Sequence, residues 1–290
     1  MHQLTRRRFV SGTTIALAAA IPVKAWSRPA RQQTASVGLI TDVHFADKPP
    51  AGSRHYRQSL SKLKAAAGEF QKQPPDVMVE LGDLIDAADS VKVELGYLRT
   101  INDEFRKLCP QRRYVLGNHC VDTLTKQEFL NAIQQERSYD SFDCNGVHFV
   151  ILDSCFRSDG QPYQRKNFHW TDANVPDHEL EWLRKDLAAT KLPTVAFAHQ
   201  RLDVEGHHGV KNQADVRAIL EASEKVVAVF QGHSHSNDLK SVNGIHYCTL
   251  VAMVEGSELT SNGYSRLNVT SDGTVQLSGF ARQSSYHWPK

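Results

Sequence analysis

Nine side chains that could share one chemistry stand in short polar clusters, each following an apolar run. "ITDVHF" carries Asp42 and His44, "ELGDLID" carries Asp83 and Asp86, "VLGNHC" carries Asn118 and His119, "AFAHQR" carries His199, and "FQGHSHS" carries His233 and His235. Carboxylate, imidazole and amide oxygen without a thiolate form a ligand set for manganese, iron or zinc, unlike a cysteine-rich structural zinc site. Asp42 and His44, like His233 and His235, are one residue apart. On extended backbone that spacing sends both side chains to one side, so each pair can reach a common centre. The competing reading is turn chemistry, because Asn and Gly are ordinary turn residues and Gly117 lets the chain turn without a Cβ clash. One polar tip fits a turn. Five such tips at the carboxyl ends of strands in one α/β sheet converge on a single crevice, and there a metal centre is the better reading.

The elements that must position these tips are legible in outline. Apolar runs at residues 37–41, 77–81 and 114–116 predict strands, and helical spacing of Leu, Ala, Val and Phe over 54–73 and 91–108 predicts the helices between them. Such a β-α-β-α-β start implies parallel strands joined by right-handed helical crossovers. Residues 139–143 and 147–153 flank Cys-Asn-Gly and predict a hairpin, because Asn-Gly suits the tight turn of twisted strands. Residues 176–190 open on Pro176 and place Leu180, Leu183 and Leu187 on one helical face. Strands are expected at 194–198 and 226–230 around a helix near 213–222, and then at 245–251, 264–269 and 274–279. The irregular stretch 154–175, with Pro162 and Trp170, is either a lid over the crevice or an elaborate surface loop.

With 40% hydrophobic residues the chain has enough apolar matter for a sizeable core. Residues 1–25 are set apart as a twin-arginine signal peptide: "TRRRFV" precedes a mildly apolar run that ends in "VKA". That run is too short for a stable membrane span. Export to the periplasm or the extracellular space is the expectation, with the processed chain beginning at or near Trp26. Processing would remove four cations and no acid, taking the formal charge from +2 to −2, so no nucleic-acid partner is expected. Five widely spaced cysteines are too few for a disulfide scaffold, and no pairing is assigned.

In this order, Asp-x-His, Gly-Asp-x-x-Asp, Gly-Asn-His, a lone His and Gly-His-x-His resemble the motifs of the calcineurin-like metallophosphoesterases, over residues 37–235. "GLITDVHFAD", "RHYRQSLSKL" and "LGDLID" are similar to the manganese-dependent ADP-ribose/CDP-alcohol diphosphatases within that family. The resemblance implies an α/β fold, a four-layer αββα sandwich of two mixed sheets flanked by helices, spanning residues 36–282. It implies two divalent metal ions, manganese first and iron or zinc as alternatives, and a small phosphorylated substrate of nucleotide diphosphate type. The reaction it implies is hydrolysis of a phosphoric ester or anhydride by a hydroxide activated between the two ions.

Carried over residue by residue, Asp42, His44 and His235 would hold one ion and Asn118, His199 and His233 the other, with Asp83 bridging. His119 would stand outside the coordination sphere as proton donor, its ring held by Asp86. The sequence departs from the family at Cys120, where an acidic residue is usual; a buried small hydrophobe is the reading preferred for that thiol. Arg54, His55, Tyr56 and Arg57 either reach a substrate phosphate or form a helix start, and His207 and His208 read as solvent-facing loop residues. A broad phosphomonoesterase or phosphodiesterase is the alternative within this chemistry. The purple acid phosphatases fit less well, because their tyrosine would stand where Asp86 does. A non-catalytic exported phosphate-binding protein is the alternative of another class, disfavoured because every ligand position is filled.

Overall fold

The computed structural model describes residues 33–290, so the export reading of residues 1–25 lies outside the described residues. The first half runs β1 (Thr34–Ile40), α1 (Gln58–Lys72), β2 (Val77–Glu80), α2 (Val91–Phe105), β3 (Arg112–Tyr114) and α3 (Lys126–Ile133). The second half continues with β4 (Asp140–Cys144), β5 (Val147–Ile151), α4 (Asp177–Ala189), β6 (Thr194–Phe197), α5 (Gln213–Ala222) and β7 (Val226–Gln231). It closes with β8 (Asp238–Val242), β9 (Ile245–Thr249), β10 (Gly263–Thr270), β11 (Val275–Ala281) and β12 (Tyr286–Trp288).

These strands form two six-stranded sheets, ordered β12-β11-β10-β1-β2-β3 and β4-β5-β6-β7-β9-β8. Both are mixed. β1, β2 and β3 are parallel in the first, and β5, β6, β7 and β9 are parallel in the second, with antiparallel strands toward the edges. The side-chain period of two sorts β1: Val37 and Leu39 point between the sheets, where they pack with Phe149, Val195 and Phe197. Ile40 belongs to the opposite face, packed with Leu63 and Phe70 of α1 and Leu98 and Ile101 of α2. Leu180, Leu183 and Leu187 of α4 and Val216 and Leu220 of α5 cover the second sheet. The result is the four-layer αββα sandwich. Fully burying one such Leu or Phe is worth about 1.5–3 kcal/mol, against less than about 1 kcal/mol for the helix propensity of an ordinary residue, so the apolar stripes decide where the helices lie.

Several boundaries differ from the sequence expectation for local reasons. α1 begins at Gln58 rather than at Arg54, because Ala51 pairs with Arg54 in a tight turn and Arg54 pairs with Glu255. α3 was not anticipated, although Thr125 and Glu128 form a reciprocal capping box at its start. The ladder of β3 ends at Tyr114, and Val115 and Leu116 continue beyond it as buried backbone. β8 is mostly polar and β12 has three residues, so neither carries an alternating apolar signal. The hairpin turn is as expected, with positive φ at both Asn145 (47°) and Gly146 (79°). All five cysteines are free thiols, and among the described residues no helix is long and apolar enough to cross a membrane.

Candidate metal centre

The polar clusters follow the carboxyl ends of β1, β2, β3, β6 and β7, which the two sheets bring to one edge of the sandwich. Past the ends of β1 and β2 the two chains stay paired: Asp42 N donates to Gly82 O (2.9 Å), His44 N to Asp83 O (2.7 Å) and Phe45 N to Leu84 O (3.1 Å). The expectation of extended backbone through each one-residue spacing is corrected here. Asp42 (φ 49°), His44 (44°), Asp83 (59°), His233 (68°) and His235 (60°) all adopt left-handed backbone. They are five of the twelve non-glycine residues with positive φ among the described residues. Each such residue costs about 1–2 kcal/mol; the amide bonds between the two segments hold Asp42, His44 and Asp83 there, and the Asp42 carboxylate accepts from the His233 N–H. The curled backbone, not a strand's alternation, turns Asp42 and His44 onto one group of ligand atoms and sends His233 and His235 to two neighbouring ones.

A close approach also explains Gly117. Its φ of −106° is ordinary, but a Cβ there would fall on the Asp83 carboxylate and backbone nitrogen. The glycine is needed for space rather than for an unusual turn, and through it the turn over Asn118–Val121 packs against the end of β2. The His119 backbone N–H then donates to Asp83 Oδ1 at 2.8 Å.

Two groups of ligand atoms result, Asp42 with His44 and His235, and Asp83 with His199 and His233, each within 4.8 Å of one another, and a further cluster of His44, Asp86 and His119 is as close. His44 Nε2 lies 3.2 Å from His235 Nε2, 3.7 Å from Asp42 Oδ1 and 3.5 Å from Asp83 Oδ2. His199 Nε2 lies 3.1 Å from Asp83 Oδ2, while its Nδ1 meets Leu81 O at 2.8 Å. Asp83 therefore faces both groups. Asp42 is anchored on its other oxygen, Oδ2, by Thr41 Oγ1 (2.7 Å) and the His233 N–H (3.0 Å).

Buried carboxylates and imidazoles this close shift one another. Burial raises the Asp42 carboxyl, but the neighbouring His235 and His199 outweigh it and hold it well below its ordinary value. Asp83 is likewise raised by burial and lowered further by His199 and His119. Burial pulls His199 and His235 down, yet Asp83 and Asp42 push the first to about 9, and Asp42 and Glu255 push the second to about 9. His233 shows the opposite balance: burial and the charge of His199 drive it down to about 3.

The residues fit cations on an observation independent of any motif. Asn118 Oδ1 and His233 Nε2 are buried and have no hydrogen-bond partner, and buried His199 Nε2 meets only the Asp83 carboxylate. Buried polar atoms are left unpaired at a cost of about 1–3 kcal/mol each. Three lone-pair donors grouped beside a carboxylate are what a divalent ion satisfies. Asp83, Asn118 and His233 also line one cleft of about 340 Å³ with His119 and Arg54.

His119 belongs to neither of these two groups but clusters with His44 and Asp86. Its Nδ1 faces Asp86 Oδ1 at 3.4 Å, and its ring meets that of His44 edge-on, 4.6 Å between centroids. Burial lowers His119, but the charges of Asp83 and Asp86 and a hydrogen bond to Asp86 leave it raised. Asp86 does more than hold His119: its Oδ2 lies 3.1 Å from His44 Nδ1, and Lys48 Nζ donates to Oδ1 at 2.8 Å. That second contact was not read from the sequence. Arg54 reaches the cleft, 3.8 Å from Asp86, whereas Arg57 pairs with exposed Asp47 at the start of α1. Cys120 is fully buried among apolar side chains, and burial pushes its thiol well up.

Two further residues escaped sequence reasoning, and a third, His208, was read only as solvent-facing. Glu255 accepts from His235 Nδ1 at 2.6 Å, the kind of contact that fixes a ligand ring's orientation. Glu80, at the end of β2, is fully buried with both carboxyl oxygens unpartnered. Burial and the charges of Asp83 and Asp42 raise it well above the usual range, and it lies near enough to perturb Cys120. His208 is exposed as expected, yet it lines the cleft, 5.5 Å from His233 between ring centroids. No local pattern marks Glu255, because it acquires its partner across the fold.

Comparison with known proteins places this geometry. The model of the calcineurin-like phosphoesterase family matches residues 35–237. The manganese-dependent ADP-ribose/CDP-alcohol diphosphatase of Arabidopsis thaliana is 24% identical, over 78% of this chain and 88% of its own length. A probable cyclic nucleotide phosphodiesterase of Fibrobacter succinogenes is 26% identical, over 69% of this chain and 72% of its own. The crystal structure of a dimetal phosphatase from Danio rerio shares the fold with a TM-score of 0.76 at 18% identity, covering 87% of this chain and 98% of that one. The family match runs from the start of β1 past His235 and takes in every strand tip described above. The chain belongs to the calcineurin-like phosphoesterase family and is a hydrolase of phosphoric esters.

Proposed function

We propose that the chain hydrolyses nucleotide diphosphate-type substrates at a centre of two divalent metal ions, with manganese the preferred metal. The observation that carries the reading is the convergence of buried ligand atoms on Asn118, His199 and His233, those of Asn118 and His233 without a partner, beside Asp83 and the Asp42–His44–His235 group. Manganese and the diphosphate class are supported by the name of the Arabidopsis relative. Oxygen and imidazole ligands suit that metal.

Asp42, His44 and His235 would hold one ion and Asn118, His199 and His233 the other, with Asp83 facing both groups. When bound, the two ions supply Lewis acidity toward the phosphoryl oxygens and toward the attacking water. The remaining work falls to the chain. Asp86 orients His119 through Nδ1 and leaves Nε2 to give a proton or hydrogen bond to the leaving oxygen. The Arg54 guanidinium, at the cleft wall, matches phosphate oxygens and places the substrate. A phosphodiesterase is the second reading, favoured by the Fibrobacter relative.

The test is metal analysis of the purified protein with hydrolysis of ADP-ribose, CDP-alcohols, a cyclic nucleotide and a monoester, each with manganese, zinc or iron. Two ions per chain and preferred cleavage of the diphosphates with manganese are expected. A preference for the cyclic nucleotide would replace the diphosphate reading with the second one.

We also propose that the twin-arginine segment directs export of the protein; "TRRRFV" supports this. Replacing Arg6 and Arg7 by Lys should leave the precursor in the cytoplasm, and undiminished export would count against that pathway.

A further inference from the structure

Trp170 is one of three large hydrophobic residues exposed among the described residues, at 38%, and the only one of the three on the wall of the catalytic cleft. The other two, Val93 and Leu259, lie outside it. Around the cleft the remaining wall is polar or charged, contributed by Arg54, Asn118, His119, His208 and the ligand residues. An indole left half open in such surroundings has a large face with no apolar partner, and solitary exposed aromatic rings in clefts mark ligand contacts.

The ring is set beside the reaction centre. Its centroid is 5.6 Å from that of His233 and 5.6 Å from that of His208, tilted by 59° and 48°. It is also firmly placed. On one side Tyr163, fully buried, stacks on Phe168 at 3.8 Å between centroids; on the other, Lys211 N donates to Ala173 O at 2.7 Å and Asn174 N to Ser154 O at 3.2 Å. The irregular segment 154–175 is thus tied down at both flanks of Trp170, so a ligand does not have to order it. Of the two sequence readings, lid or surface loop, the segment is a fixed wall that presents one ring to the cleft.

The geometry points to Trp170, with His208 at its edge, as a stacking platform for a planar heteroaromatic ring of the substrate, a nucleobase in class. The inference rests on the hydrolase reading above and specifies how that site would select its substrate. The ring neighbours of Trp170 are the imidazoles of His169, His207, His208 and His233. A planar ring stacks on indole whatever its sequence of polar edge groups, and stacking on an aromatic side chain is worth about 1–3 kcal/mol by alanine substitution.

The experiment measures equilibrium binding of AMP, ribose 5-phosphate and phosphocholine to the manganese-loaded full chain, by calorimetry and by quenching of tryptophan fluorescence. Parent, Trp170→Phe and Trp170→Ala are compared, with thermal melting to verify folding. AMP should bind the parent about 5- to 150-fold more tightly than ribose 5-phosphate, the range equivalent to that stacking energy. Trp170→Phe should keep most of this difference and Trp170→Ala should remove it. Equal affinity for AMP and ribose 5-phosphate in the parent, a difference that survives in Trp170→Ala, undetectable AMP binding, or a preference for phosphocholine would each overturn the platform. Should Trp170→Ala fail to fold, the parent comparison and Trp170→Phe decide. A parallel assay with a chromogenic phosphate ester separates the two levels. No turnover of it by the parent overturns the hydrolase reading, whereas turnover with equal affinities overturns only the platform.

Discussion

Glu255 Oε1 lies 2.6 Å from His235 Nδ1, which fixes the tautomer so that Nε2, 3.3 Å from Asp42 Oδ1, is the nitrogen free to ligate. The pair polarises both partners: the hydrogen bond to His235 is the main reason the Glu255 carboxyl sits at about 2. Glu255→Ala should lower metal affinity about 10- to 100-fold, the usual weight of a residue that orients a ligand. Glu255→Gln, which keeps an acceptor oxygen, should lose less. Metal titration followed by activity checks this, and at saturating metal the Ala variant should regain most of its turnover. An unchanged metal affinity would mean that Glu255 is only a surface partner.

His119 and Asp86 touch, but they should fail differently. His119→Ala removes a donor from outside the two ligand groups, so metal content should persist while turnover falls by about 10²- to 10⁴-fold. The loss should shrink for a nitrophenolate leaving group, which needs no proton. Asp86→Asn disturbs His44 as well as His119, since it contacts both rings. It should therefore reduce metal content together with turnover. Metal analysis of both variants separates the roles.

Gly117→Ala places a methyl group on the Asp83 carboxylate and the backbone nitrogen of Asp83, neither of which is a flexible chain end. Overpacking of this kind costs about 1–3 kcal/mol. Because the displaced group is the carboxylate between the two ligand sets, metal binding should be lost with little change in the far parts of the fold. Circular dichroism with metal analysis would read both at once.

A pH-dependent contribution to stability should come from His148, remote from the centre. Burial opposes its charge, but Asp186 at 2.8 Å from Nε2 and Asp143 at 2.6 Å from Nδ1 outweigh burial and raise its pKa above 6.5. A raised folded-state pKa contributes stability that is fully present below the unfolded value near 6.5 and is lost as pH rises through the folded value. The stability difference between the parent and His148→Gln should therefore be largest in mild acid and shrink in mild alkali. Denaturant unfolding across that range checks the sign; a difference that grows with pH would refute it.

The sequence by itself determined the order of strands and helices through the core, the hairpin at Asn145–Gly146 and the identity of the nine polar residues at the strand tips. Those features are local. Apolar period reports which face an element buries, Asn-Gly reports one turn, and a polar cluster after an apolar run reports a strand end whatever lies opposite. Tertiary structure decided what the tips do to one another. His44 and His235, 191 positions apart, meet only because β1 and β7 end at the same edge of two packed sheets. The left-handed backbone at Asp42, His44 and Asp83 is held by hydrogen bonds between the chain after β1 and the chain after β2, and that at His233 by its N–H bond to the Asp42 carboxylate, against the preference of the residues themselves. Glu255 and Trp170 sit in segments with no periodic signal, and each gained its place through packing with distant chain. Contacts of that range depend on how whole layers dock, and no spacing along the chain encodes them.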